Sequence, residues 1–198
     1  HFSLRMAQTG ALVVHYRAHF VKRLQETAPP IHRDFSGGRE KLTLRYETVS
    51  TVTDPLAPPR TILEEILAHQ ERHRQAELDA RQCLTGPHKD DLAVELDGRS
   101  AKMYGSQGQQ RSAVLALKLA EAQALSQLTG ETPIVLLDDV MSELDQSRQD
   151  YLLNHLHGRQ VFITCCSPET VSLQETGMRF RVEAGEVFPE EVERAAGL

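Results

Sequence analysis

Pro133-Ile134-Val135-Leu136-Leu137-Asp138-Asp139 constrains this chain more than any other stretch. An apolar run this short, opened by a proline, is too brief for a buried helix and suits a strand covered on both faces. Two carboxylates at its end put charge at the carboxyl edge, where open α/β sheets keep their ligands. Adjacent carboxylates repel unless a cation or a division of tasks separates them. A nucleotide site supplies both. Asp138 would hold Mg²⁺ through water, and Asp139 would orient or deprotonate the attacking water. The competing reading is a solvated strand end with a turn, where Asp is common.

Upstream, Gly105-Ser106-Gln107-Gly108-Gln109-Gln110-Arg111 opens a helical run carrying Val114, Leu115, Leu117, Leu119, Ala122, Leu125 and Leu128 as a wide apolar stripe. A helix N-terminus offers unpaired N–H groups and a positive dipole end to a phosphate. Gly108 allows close backbone approach, and the Ser and Gln side chains add neutral donors. Taken alone, this loop is more often a plain helix cap than a phosphate site. Its weight comes from the strand that follows it.

In order, Ser106 to Arg111, Val135 to Asp139 and Ser142-Glu143-Leu144-Asp145 resemble the signature, Walker B and D-loop series of ABC-type ATPase heads. Gln in the second signature position, Asp-Asp rather than Asp-Glu, and Gly86-Pro87-His88-Lys89-Asp90-Asp91-Leu92 upstream are similar to the RecF family in particular. The resemblance runs from about Arg39 to Phe188. It implies an α/β chain: the C-terminal lobe of an ABC-type head, with a P-loop-NTPase-like mixed or parallel sheet and flanking helices, plus part of a helical arm. The expected division is an arm segment over 1–82 and a head lobe over 83–198.

The resemblance also implies a role. The family acts in DNA repair, DNA replication and the SOS response, binding DNA in an ATP-dependent way and helping to load RecA on gapped DNA with RecO and RecR. ATP and Mg²⁺ would be the cofactors, and the partners would be double-stranded DNA, single/double-strand junctions and a second copy in an ATP-dependent homodimer. Asp138 and Asp139 would be catalytic. Ser106, Gln107, Gly108 and Gln109 would contact the γ-phosphate bound by the opposite subunit, and Ser142 and Asp145 would lie at the dimer seam. Thr164 would stand where many ABC-type heads place a γ-phosphate-sensing histidine. The expected setting is the cytoplasm. Two other classes stay open: an SMC-type head that tethers DNA structurally, and a non-catalytic interaction module.

No Gly-x-x-x-x-Gly-Lys-Ser/Thr occurs in the 198 residues. The loop that cradles the β-phosphate is therefore absent. Together with the opening His1, this leads us to expect the C-terminal part of a longer protein, a weak ATPase when complete and a poor ATP binder alone.

The net charge of −6 argues against a generic polyanion binder. Basic residues are in slight excess over 1–82, and the acidic excess lies over 83–198, so a DNA contact is expected on the N-terminal part or across a dimer. No apolar run approaches the ~18 residues of a membrane span. Three cysteines, Cys165 and Cys166 adjacent, make no disulfide framework and read as small buried residues in a reducing compartment.

Leu4, Ala7, Ala11, Val14, Ala18 and Val21 recur at spacings of three and four, with Arg5, His15, Arg17, Lys22 and Arg23 between them. That is one strand of an antiparallel arm or an amphipathic helix on a core, and Ala28-Pro29-Pro30 should stop it. Ser36-Gly37-Gly38 is rejected as a signature because Lys41 to Glu47 alternates as a strand. Thr61-Ile62-Leu63-Glu64 predicts a capping box starting a helix to about Arg81. His69 and His73 on it could hold zinc, but Gln70 replaces the required Glu, so a solvated face is favoured. Thr85 to Asp91 reads as a turn, or as support for a nucleotide or DNA face. Asp97-Gly98 predicts a hairpin returning over Arg99–Met103. Gln146 to His157 predicts a helix, Gln160 to Thr164 a parallel strand, and Arg179 to Phe188 a terminal pair around Ala184-Gly185.

Overall fold

The computed structural model describes residues 2–48, 52–84, 86–166 and 177–190. The chain forms two compact units, His1–Pro133 and Ile134–Leu198. The division expected at residue 82 falls inside the first unit, where strands from either side of it pair.

Helix α1 spans Phe2–Phe35 and is the spine of the first unit. At 1.5 Å per residue it is about 50 Å long. Its buried apolar side chains are Ala7, Ala11, Val14, Ala18, Val21, Leu24, Ala28, Ile31 and Phe35. The three-and-four spacing thus persists through the whole helix, and it packs on α4, α2 and β1. Within this unit it packs as a core helix. Leu4, read as part of the seam, is exposed instead.

Pro29 and Pro30 do not stop α1, contrary to expectation. Each proline removes a helical N–H and costs about 3 kcal/mol in a helix interior. Past them, Ile31 and Phe35 are 4% and 5% exposed, and burying each returns roughly 1.5–3 kcal/mol. Fully buried His32 adds its hydrogen bond with Glu40 at 3.0 Å. Burial beyond the prolines, together with that contact, offsets what the two prolines cost. The true stop is Ser36-Gly37-Gly38. Gly38 N–H donates to Arg33 O at 2.7 Å, Gly37 N–H donates to Asp34 O at 3.1 Å, and both glycines have positive φ. This is a Schellman turn, with glycine where a side chain would be strained.

β1 (Leu42–Glu47) pairs antiparallel with β2 (Asp91–Leu96), in the register Leu42↔Leu96 to Glu47↔Asp91. Leu42 and Leu44 point inward and are buried, as the alternation predicts. The Asp97-Gly98 turn forms with both residues at positive φ, but the return strand β3 is only Arg99–Ser100. Ala101, buried at 5%, starts a short helix, α3 (Ala101–Tyr104), so the expected strand over Arg99–Met103 ends early.

Helix α2 (Pro59–Ala80) begins on Pro59 rather than at a Thr61 capping box. The fixed φ of proline is already helical, so it suits the first helical position better than a threonine two residues later. Ile62 and Ile66 of α2 cluster with Ala7, Ala11 and Val14 of α1. Helix α4 (Gln107–Thr129) buries Ala113, Ala116, Ala120 and Ala124 with Leu119, while Val114, Leu125 and Leu128 are exposed. Its packing face is a strip of small residues and not the leucine-rich stripe expected, because alanines let two helix backbones approach.

In the second unit, β4 (Val135–Asp138) and β5 (Val161–Thr164) pair parallel, joined through a 3₁₀ turn (Met141–Glu143) and α5 (Gln146–His155). This is the predicted strand–helix–strand unit. Leu137, Met141, Leu144, Leu152 and Leu156 form its buried set. The strand is not covered on both faces, however. Among the described residues Leu136 is 73% exposed and Phe162 55%, since a two-stranded sheet with one crossover helix covers one face only. β6 (Arg179–Glu183) and β7 (Glu186–Glu190) form the predicted terminal pair.

Candidate functional site

Each unit carries its own candidate residues, and each set has its own local logic.

In the first unit, Ser106 is the N-cap of α4. Its Oγ accepts from the Gln109 N–H at 3.3 Å, and its own N–H donates to Gln109 Oε1 at 2.8 Å. This is a reciprocal capping box. Ser106, Gln107 and Gly108 are exposed; Gln109 is half-buried and is held at both ends of its amide, because Nε2 donates to Glu40 Oε1 at 3.0 Å. The sequence alternatives of cap and phosphate loop are not exclusive. The cap is present, and it leaves Ser106 to Gly108 open to solvent at a helix N-terminus, the geometry an anion uses.

Two features behind this loop escaped the sequence. Gly105 closes α3 and leads straight into the cap; its N–H donates to Ala101 O at 3.0 Å. A Cβ built on Gly105 would lie 2.5 Å from that same oxygen, so no other residue fits. Glu40 is the second. Its Oε2 meets His32 Nε2 at 3.0 Å, so Gln109, Glu40 and fully buried His32 form a chain from the α4 cap to α1. A glutamate far along the sequence carried no local motif to reveal it.

In the second unit, Asp138 and Thr164 are register partners. Thr164 Oγ1 donates to Asp138 Oδ1 and accepts from the Asp139 N–H at 3.1 Å. Asp139 sits at φ +52°, in the left-handed region that Asp tolerates better than most residues. Ser142 Oγ pins it, donating to Asp139 Oδ1 at 3.0 Å and to Asp139 O at 2.9 Å. Both carboxylates are exposed. The four side chains Asp138, Asp139, Ser142 and Thr164 therefore form one hydrogen-bonded group.

Asp145 is the N-cap of α5, accepting from the Arg148 N–H at 3.0 Å and pairing with Arg148 Nη1 at 3.0 Å. Gln149, 4% exposed, was not foreseen. Its Nε2 donates to Met141 O at 2.7 Å and Leu144 O at 3.0 Å, stitching together the turn that carries Ser142.

The donor set suits Mg²⁺. Two exposed carboxylates at one strand end are hard oxygen ligands, and Mg²⁺ commonly takes one or two such groups and fills its other positions with water and phosphate. No group of three or more His, Cys, Asp or Glu that could enclose a metal occurs among the described residues. Asp138 would be the protein ligand, and the ion would supply charge neutralisation at a phosphate.

Other residues singled out by sequence take structural places. His69 is not on a solvated face: it is 7% exposed and stacks on His73 with ring centroids 4.0 Å apart. Burial, then the charges of His73 and Arg72, hold its imidazole pKa below the usual value. Cys165 and Cys166 are exposed rather than buried, since they follow β5 where nothing among the described residues covers the strand end. In the Gly86–Asp91 turn, Arg17 Nη1 donates to Pro87 O at 2.6 Å and Tyr46 Oη donates to Asp90 Oδ2. Burial and Asp90 raise the Tyr46 phenol pKa well above its usual range. Gly10 of α1 admits Pro87, whose Cδ would lie 3.3 Å from an added Cβ. The turn is thus tied to α1 and β1, with His88 and Lys89 exposed; Thr85 lies outside the described residues. Among the described residues no helix is long and apolar enough to cross a membrane.

Comparison with known proteins gives one consistent answer. No protein-family model matches the chain. It is 42% identical over 185 residues to the DNA replication and repair protein RecF of Bacillus subtilis, covering 91% of this chain and 50% of that one. With the protein of the same name from Staphylococcus epidermidis the identity is 40% over 187 residues, 93% of this chain and 50% of the relative. A solved structure of the recombination mediator protein RecF-ATP in the RecFOR pathway superposes with a TM-score of 0.82 at 33% identity, over 96% of this chain and 49% of that one. A second, of RecF-ATPrS, gives a TM-score of 0.82 over 95% of this chain. The chain spans about half the length of the curated relatives it matches. By sequence and by fold, this chain is similar to about half of a RecF protein, and its mixed α/β architecture is that of the solved RecF structures.

Proposed function

We propose that this chain supplies the signature-loop and carboxylate portion of an ATP-switched, DNA-binding repair protein that dimerises around nucleotide. One observation carries the reading most directly. Asp138 and Asp139 sit exposed at the end of a parallel strand, oriented by Thr164 and Ser142. In this reading Asp138 holds Mg²⁺ through water and Asp139 orients the attacking water. Ser106, Gln107 and Gly108 meet the γ-phosphate held by a second copy. Gln109 contributes through the cap it closes. Ser142 and Asp145 shape the turn that lies at the seam, and Thr164 reports on the nucleotide through Asp138.

The loop that cradles the β-phosphate is absent from the sequence, so the rest of such a protein would provide it. The exposed Leu136 and Phe162 on one face of the β4–β5 pair support that completion. A parallel pair is ordinarily covered on both faces. DNA would meet the basic side of α1, where Arg5, Arg17, Lys22 and Arg23 are exposed. RecO, RecR and RecA, and a cytoplasmic setting, follow from the same family reading. Nucleotide would act as the switch because it completes an interface that neither surface makes alone.

The test is nucleotide binding by this chain alone and mixed with the remaining half of a RecF protein. Binding only in the mixture, with Mg²⁺ dependence lost in Asp138→Ala, is the expected result. Tight binding by the chain alone would overturn the shared-site reading. In the complete protein Ser106→Arg should abolish ATP-dependent dimerisation and spare monomer nucleotide binding. Asp139→Asn should slow hydrolysis and prolong the ATP-bound dimer.

A further inference from the structure

We infer that Glu40 is a positioning residue for the α4 loop, fixing Ser106 to Gly108 through the side chain of Gln109. The inference rests on the proposed role of that loop as a phosphate contact, and it assigns the loop a support on α1.

A capping box normally ends at its third helical residue. Here it continues. Gln109 Oε1 is committed to the Ser106 N–H at 2.8 Å, so the amide can present only its Nε2 to a further partner. That partner is Glu40 Oε1 at 3.0 Å, and Glu40 lies 69 positions earlier in the chain. The second Glu40 oxygen takes His32 Nε2 at 3.0 Å. Glu40 is delivered there by the Gly37-Gly38 turn that ends α1, and its own N–H donates to buried Ser36 Oγ at 3.3 Å. The carboxylate is 16% exposed and His32 is fully buried, so neither group can swing away to water cheaply. The exposed loop is thereby anchored to the spine of the unit.

The chemistry explains the residue type at 109. Glutamate would serve a capping box equally well. Against Glu40 it would set one carboxylate beside another, which is unfavourable. Only an amide accepts from the cap and donates to Glu40 at once. The orphaned His32 Nδ1 adds a handle. Because nothing holds Nδ1, the ring can carry its proton on either nitrogen, and Nε2 can face an acceptor or a donor.

The experiment uses the complete protein and reads three quantities: monomer nucleotide affinity, the dissociation constant of the ATP-bound dimer, and hydrogen exchange at Ser106. Glu40→Leu should raise the dimer dissociation constant about tenfold or more, as loss of a charge-assisted hydrogen bond predicts. Monomer nucleotide affinity should not change, and exchange at Ser106 should quicken. Gln109→Glu should fail in the same way. Glu40→Gln should dimerise like the parent, because its oxygen still accepts from Gln109 and its amide can donate to His32 Nε2. The exchanged pair Gln109→Glu with Glu40→Gln should restore dimerisation, since Gln at 40 can donate to Glu at 109 while Glu at 109 still accepts from Ser106. Failure of the exchanged pair, with Gln109→Glu defective alone, would mean that Gln109 touches the nucleotide itself and would overturn the inference. Parent-like dimerisation by Glu40→Leu would overturn it too. Ser106→Arg separates the two levels. If it leaves ATP-dependent dimerisation intact, the loop's role in trans is lost and this inference falls with it. If only the Glu40 variants are silent, the loop's role stands and its α1 support is rejected.

Discussion

Thr164 donates its hydroxyl proton to Asp138 Oδ1 and receives the Asp139 N–H on the same oxygen at 3.1 Å. One hydroxyl therefore sets both members of the carboxylate pair. Strand register makes this possible, because Asp138 and Thr164 face each other across β4 and β5.

Thr164→Val keeps the shape and removes the hydroxyl. The site is exposed and the Asp139 N–H keeps its second acceptor, Thr164 O at 3.2 Å, so the expected stability loss is no more than about 1 kcal/mol. ATP turnover of the complete protein should fall by roughly tenfold through misorientation, with nucleotide binding retained. Thr164→Ser should turn over as the parent does. Steady-state kinetics decides it: a Val variant with parental kcat would remove Thr164 from the site.

Gln149→Leu replaces a buried amide by a slightly smaller apolar side chain and takes the side-chain donor from Leu144 O and from Met141 O, the latter keeping only the Leu144 N–H at 3.3 Å. Leaving such groups unmet costs about 1–3 kcal/mol. The urea midpoint should drop at unchanged slope. An unshifted midpoint would mean that water replaces the amide without cost.

Gly105→Ala tests a steric demand rather than a torsional one, since φ is an ordinary −71°. The new Cβ would meet Ala101 O at 2.5 Å, a backbone atom that cannot rotate aside. The expected loss is about 1–3 kcal/mol, with faster hydrogen exchange at Ser106. Parental stability would show that α3 shifts freely.

His69 predicts a pH dependence. Its pKa is lowered from 6.5 by burial, with His73 and Arg72 contributing. The unfolded chain then binds a proton that the folded chain refuses, so stability rises with pH through this window and falls on acidification below about 6.5. His69 Nδ1 has no hydrogen-bond partner to lose. His69→Leu should flatten the stability profile on the acid side of about pH 6.5, measured as denaturation midpoints. An unchanged acid slope would assign it to other groups.

The sequence by itself determined the local pieces of this protein. Ser106 and Gln109 specify a helix cap by their spacing, Pro133 to Asp139 specifies a strand ending in charge, and Asp97-Gly98 specifies a turn. Those signals are legible because each depends on neighbours a few residues apart. What reached across the chain was decided by tertiary structure. Pro29 and Pro30 read as a stop, yet burial of Ile31 and Phe35 carries α1 past them. The leucines of α4 read as its core face, yet close approach between helices selects its alanines. His69 and the cysteine pair exchanged their expected burial for the same reason: coverage is a property of the assembled layers, not of the residue. Glu40 and Gln149 carry no motif at all. Their roles exist only because the fold brings a carboxylate to a distant amide and an amide to two carbonyls, where a buried polar group must find a partner.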